Sequence, residues 1–223
     1  MRYNHIDAIP RRILEMGFSA LAQANTQAVY GGPGTEGSDA LSIVNSAFAG
    51  ELIIKAIIAK QHPLLIFKNL FELGPSDTSP ISIDRLLLKG KTYTFGELPN
   101  LLWSCTGNQI SELELFREIQ QARNAIVHFC SPEDENLKLL SLNFLYKVID
   151  PLLKDHFREC AIEFHNGYTV DYSYVVSCLF SNEILFSVPE GFNTSEINYE
   201  DELAVTSKDY KVEMKKRISS SKA

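Results

Sequence analysis

The sequence predicts a mainly α fold with a small C-terminal β-containing or irregular extension. Apolar residues recur at three- and four-residue spacing in four long stretches, which is the period of a helix with one buried face. Gly- and Pro-rich segments punctuate those stretches. Beyond Tyr168 the chain turns β-branched and aromatic, then strongly charged. Two segments follow: a helical domain over 1–167, and an extension over 168–223 made of short strands and a charged tail.

The first helix is expected from Ile9 to Tyr30. Pro10 suits an early helical position, and Gly31-Gly32-Pro33-Gly34 stops the element. A second opens at Ser38 or Asp39 and runs to about Lys60, with Val44, Phe48, Leu52 and Ala56 every four residues. His62-Pro63 ends it. From Gly74 to Thr94 the prolines, glycines and small polar residues predict a long excursion, with short strands near Ile81–Ile83 and Thr92–Thr94. Thr94 with Glu97 three residues later is a capping-box pattern, launching a short helix that carries Pro99 in its first turn.

The third main helix is expected over roughly Gln109–Phe129, with Leu113, Phe116, Ile119, Ala122 and Ile126 on one side. Ser131-Pro132-Glu133-Asp134 reads as the start of the fourth: a serine cap, proline at the first position and acids over the positive end of the dipole. That helix carries Leu140, Phe144, Val148 and Leu152. Asp150-Pro151 should kink or restart it, because proline lacks the donor its turn needs. Tyr168–Val188 reads as two short strands joined at Ser181-Asn182. The basic end (Lys208, Lys211, Lys215, Lys216, Arg217) reads first as a solvated tail, with a binding arm as the alternative.

A chain of 223 residues, 45% hydrophobic and 22% charged, can build a proper core. The net charge of −7 argues against broad, sequence-blind binding to long nucleic acid, yet leaves room for a small basic cleft. The four cysteines (Cys105, Cys130, Cys160, Cys178) lie far apart, with no zinc-type spacing, and read as reduced, mostly buried thiols. No metal or other cofactor is called for. No signal peptide is apparent, and the most apolar segment, interrupted by Glu51 and Lys55, reads as too short to span a bilayer. A cytoplasmic protein without membrane partners is the expectation.

The chemistry concentrates in Arg123-Asn124-Ala125-Ile126-Val127-His128, near the end of the third helix. An always-charged guanidinium holds phosphate through a rigid fork of donors, and an imidazole moves protons near neutrality. Together they suit phosphodiester chemistry. Asn124 and His128 are four residues apart on one helical face, so the amide is positioned to orient the imidazole. Arg123 points about 140° away from His128 on an ideal helix, which favours a site composed from two subunits. Glu51 has two readings: a partner that holds Arg123, or an ion pair with Lys55. An Arg and a His ending a helix are also ordinary partners of its dipole. His62 reads as structural.

This Arg-Asn-x-x-x-His pattern resembles the signature of the HEPN family (higher eukaryotes and prokaryotes nucleotide-binding), much of which consists of RNA-cleaving toxins and defence proteins. The small-residue face followed by Glu51 and an aliphatic run is similar to the family's second helix, and the resemblance covers roughly residues 40–160. It implies a HEPN-like four-helix bundle that forms a homodimer, with two copies of the motif across a shared cleft. It further implies metal-independent endoribonuclease activity on an RNA substrate, with Arg123 and His128 catalytic and Asn124 and Glu51 in support. A toxin or phage-defence effector of this type works with an antitoxin or regulatory partner protein. The alternative is a non-catalytic HEPN-type module for protein interaction or nucleotide binding. Some relatives carry an AMP-accepting Tyr two positions after the His; here that position is Cys130.

Overall fold

A computed structural model describes residues 6–30, 37–68, 70, 86, 89–131, 136–165 and 172–221. It is mainly α, with a small two-stranded sheet. Helices α1 (Ile9–Val29) and α2 (Ser38–Gln61) pack along each other and form the largest contact in the molecule. They approach closely because Gly17 faces Ile53: a Cβ there would lie 3.1 Å from the Ile53 Cγ1. On α2, Ile53, Ile54, Ile57 and Ile58 are all essentially sealed from solvent, each contributing about 1.5–3 kcal/mol of burial.

After α2, a 3₁₀ turn (Pro63–Ile66) is capped by the His62 Nδ1, which accepts the Leu64 N–H at 3.2 Å. Strands β1 (Phe67–Lys68) and β2 (Lys91–Thr92) then pair antiparallel, Phe67 opposite Thr92. The strand expected at Ile81–Ile83 lies outside the described residues. The capping box is present: Glu97 accepts the Thr94 N–H at 2.8 Å at the entry to a 3₁₀ turn and α3 (Leu98–Thr106). Gly107, in the left-handed region at φ 76°, ends α3, a conformation favouring glycine.

α4 (Leu113–His128) is shorter at its start than the predicted span. The next described helix begins at Leu137. Its cap is Asn136, whose side chain accepts the Leu139 N–H. The start expected at Ser131-Pro132 falls on residues 132–135, which lie outside the described residues. α5 (Leu137–Phe144) continues through a π turn (Leu145–Ile149) into α6 (Asp150–Phe157). Pro151 explains that wide turn: it has no N–H for the carbonyl four residues back, and its ring crowds that carbonyl. Within the turn the Asp150 N–H reaches back five residues to the Leu145 carbonyl. α2 and α5 meet through small residues, where Ser141 shares hydroxyl contacts of 3.0 Å with both Ser42 and Ser46.

The C-terminal segment corrects two expectations. Tyr168–Val188 is predicted as two strands; Ser173–Ser181 is instead a helix, α7, and residues 184–188 form no regular element. Val175, Val176, Leu179 and Phe180 bury together, so packing of a four-residue repeat overrides the β propensity of the individual residues. The charged end is not a solvated tail. After α8 (Tyr199–Ala204) it forms α9 (Lys208–Ser220), which buries Tyr210, Met214 and Ile218. The Tyr210 hydroxyl donates to the Ile184 carbonyl at 2.8 Å, and Arg217 donates to the Phe186 carbonyl at 3.0 Å. Glu183 accepts the Ser207 N–H and hydroxyl at 2.7 and 2.6 Å, stabilising the start of α9.

Two buried polar groups tie distant parts of the chain together, and the second of them reaches this segment. Asn25 donates to the carbonyls of Ala161 and Phe164 and accepts the Tyr146 hydroxyl at 2.9 Å. Asp150 accepts the Ala161 N–H at 2.8 Å and the Ser187 N–H at 2.6 Å. One hydrophobic cluster runs from Ala20 to Ile218. α2 spans 24 residues and is long and apolar enough to cross a membrane by length and composition; here it lies in the core, with 67% of its most apolar window buried.

Candidate functional site at the end of α4

α4 forms because Phe116, Ile119 and Ala122 lie on one side and bury, while Glu114, Arg117, Glu118 and Gln121 stay exposed. Phe116 stacks on Phe95, with ring centroids 4.3 Å apart, which fixes the helix against the entry to α3. Its first turn carries Glu114 and its last turn His128, charges that complement the two ends of the dipole. The helix stops at Phe129, whose N–H still bonds the Ala125 carbonyl at 2.8 Å.

Arg123 is half-buried on the side of Phe116 and Ile119. Its Nη1 donates to the Asn124 Oδ1 at 3.1 Å. The amide oxygen expected to orient His128 is therefore engaged by its neighbour. His128 is exposed and has no hydrogen bond or ion pair among the described residues. Within one chain, Arg123 and His128 are not brought together.

Glu51 does not meet Arg123 either. Its Oε1 takes the Lys55 Nζ at 2.5 Å, and the same ammonium donates to the Thr92 hydroxyl at 3.0 Å. Lys55 is buried, so this pair is a structural tie between α2 and the β2 strand and not the exposed pair the sequence suggested. Cys130 is exposed, contrary to the expectation of mostly buried thiols, whereas Cys160 is buried and its thiol is pushed up to about 12, chiefly by desolvation.

The surface around the motif carries two features that sequence reasoning missed. Phe129 is 87% exposed and Val127 48% exposed, so His128 sits between two uncovered apolar side chains. A cleft of about 490 Å³ lies between α4 and α5, with Glu118, Gln121, Asn136 and Asn143 around Ala122, Ala125, Leu139 and Leu140. The exposed apolar pair flanking the histidine was visible in the sequence. The cleft was not, because it depends on how two helices cross. Among the described residues no three His, Cys, Asp or Glu side chains converge as metal ligands would. Comparison with family models, characterised proteins and solved structures finds no match for this chain.

Proposed function

We propose that this chain is a HEPN-type, metal-independent endoribonuclease whose active site is completed by homodimerisation of a HEPN-like four-helix bundle. The observation that carries this reading is the placement of His128 at the exposed end of α4 between Val127 and Phe129. Uncovered aromatic and aliphatic side chains beside a titratable group favour an interface. Covering them with a second copy would bring two motifs face to face. The separation of Arg123 from His128 within one chain supports the same arrangement.

In the proposed reaction the RNA 2′-hydroxyl attacks the adjacent phosphorus. A bond from the 2′-oxygen to phosphorus forms and the bond from phosphorus to the 5′-oxygen breaks, leaving a 2′,3′-cyclic phosphate and a free 5′-hydroxyl. One His128 accepts the 2′-hydroxyl proton, and the partner's His128 protonates the departing 5′-oxygen. Arg123 donates to the non-bridging oxygens as their charge grows. Asn124, bonded to Arg123, holds the guanidinium in place. DNA lacks the attacking hydroxyl and is left intact. A cytoplasmic toxin or phage-defence effector, restrained by an antitoxin or a trigger, is the biological setting this chemistry suits.

The test is cleavage of several RNAs by purified protein in EDTA, with cyclic-phosphate ends and loss of activity in His128→Ala. Intact RNA under those conditions would sink the catalytic reading and leave a non-catalytic interaction or nucleotide-binding module.

A further inference from the structure

We infer that the exposed face of α9 is an RNA-backbone exosite, a row of lysines that holds the phosphates of a single strand outside the catalytic motif. The choice of RNA as the strand rests on the ribonuclease reading above. α9 carries five basic residues (Lys208, Lys211, Lys215, Lys216, Arg217) against two acids (Asp209, Glu213), whereas the whole chain has a net charge of −7. A short element of an acidic molecule is thus locally basic.

Helix geometry gathers four of the five into one band. At about 100° per residue, Lys211, Lys215, Lys208 and Lys216 fall within an arc of about 140°, and they span about 12 Å along the axis. Lys208, Lys215 and Lys216 are exposed and Lys211 is half-buried. None of the four makes a hydrogen bond or ion pair among the described residues. The acids of the same helix lie outside the band. Glu213 pairs with Arg217 at 2.9 Å, and Asp209 falls just beyond the edge marked by Lys216.

The opposite side of α9 fixes the band in place. Tyr210, Met214 and Ile218 are buried, and the Tyr210 ring meets the Phe180 ring edge-on with centroids 6.4 Å apart. A fixed row of ammonium groups with no partner in the chain is matched by an anion repeated along a line, as the phosphates of a strand are. A single small anion would occupy one or two of the four. A lipid surface suits the helix less, because a basic amphipathic helix binds there by inserting its apolar face, and here that face lies in the core. Phosphate contacts position a strand without reading its bases. The band therefore adds hold on the substrate and leaves the choice of bases to other contacts.

In the test, Lys208, Lys215 and Lys216 are replaced together, by glutamine in one variant and by arginine in another. Both are made in the full chain carrying His128→Ala, which leaves RNA uncut, and thermal melting checks that they fold. Binding of a short labelled single-stranded RNA is followed by fluorescence anisotropy over a range of salt. The His128→Ala parent is expected to bind, more weakly as salt rises. The glutamine variant should bind less tightly, with a plot of log binding constant against log salt shallower by about 2, at about 0.7 per lost phosphate contact. The arginine variant should keep both affinity and slope. Should the glutamine triple fail to fold, Lys215→Gln alone decides in its place, with an expected change of about 0.7.

An unchanged slope in the folded glutamine protein, an equal loss in the arginine variant, or a parent that binds no RNA overturns the exosite. Lysine-dependent binding to phosphatidylserine vesicles without RNA binding overturns it in favour of a membrane surface. Cleavage by the wild type in EDTA keeps the two readings apart. Cleavage together with lysine-independent binding removes the exosite alone; lysine-dependent binding without cleavage sustains the exosite and removes the catalysis.

Discussion

Replacing Asp150 by alanine should destabilise the fold by about 2–4 kcal/mol, because that carboxylate ties the helical body both to itself and to the C-terminal segment. The side chain is 1% exposed and accepts two backbone N–H groups, from Ala161 and Ser187. Removing it leaves the Ala161 donor wholly buried and the Ser187 donor half-buried. Each orphaned donor costs roughly 1–3 kcal/mol, the second nearer the low end. Relief of the carboxylate's own desolvation offsets part of the sum. For a chain of this size that total lowers Tm by roughly 4–16 °C. Asp150→Asn keeps one acceptor and should lose about half as much.

The assay is denaturant unfolding of the three proteins, joined to hydrogen exchange at the Ala161 and Ser187 amides. The pH dependence gives a second readout. Burial raises the Asp150 pKa above the ordinary 3.8, against the opposing pull of its two N–H donors. The folded state therefore holds its proton where the unfolded chain has released it, and stability declines as pH climbs from about 3.8 through the raised value. Asp150→Asn lacks that slope. A Asp150→Ala protein within roughly 0.5 kcal/mol of wild type, with unchanged exchange at both amides, would refute the reasoning.

Four further outcomes are expected. Arg123→Ala and His128→Ala should each lower RNA cleavage by about 10²–10⁴-fold; if one protomer's guanidinium serves the partner's imidazole, mixing the two inactive proteins should restore some turnover, whereas no recovery argues against that pairing. Phe129→Ser should weaken self-association, seen as a shift toward monomer in sedimentation, with the Tm of a side chain already 87% exposed little changed. Glu97 is held down to about 2, first by its bond from Lys68 and then by those from Thr94, so its contribution is complete above about 4.5 and is lost as pH falls through about 2, a profile that Glu97→Gln should erase. Gly50→Ala should destabilise by about 1–3 kcal/mol in urea unfolding despite alanine's helix propensity, because its Cβ would lie 2.8 Å from the Phe144 ring.

Sequence patterning located α1 and α2 closely because glycine and proline mark their ends and apolar residues repeat between them. The Thr94–Glu97 box was equally readable, since both partners lie within one turn. The C-terminal quarter was misread for a physical reason. Val175, Val176, Leu179 and Phe180 have a helical spacing, but β-branched composition masks it until a core is available to bury them together. In α9 the stripe of Tyr210, Met214 and Ile218 is obscured by the lysines that surround it. At the candidate site, residue types and helix position were legible from local sequence. The Glu51–Lys55 pair was one of two readings, but the partner of Asn124, the burial of Lys55 and the alanine-floored cleft were not legible, because each depends on side-chain placement or on contacts between elements.

The π turn over Leu145–Ile149 has a consequence for any redesign of the central helix. It turns the chain less per residue than an α-helix does, and so sets the angular phase of everything downstream. Regularising it to α geometry with all five residues kept would swing Asp150 by about 90° around the axis, since each residue would then turn about 100° in place of about 82°. The carboxylate would then face away from Ala161 and Ser187, and a more ideal helix would come loose from the segment it now anchors.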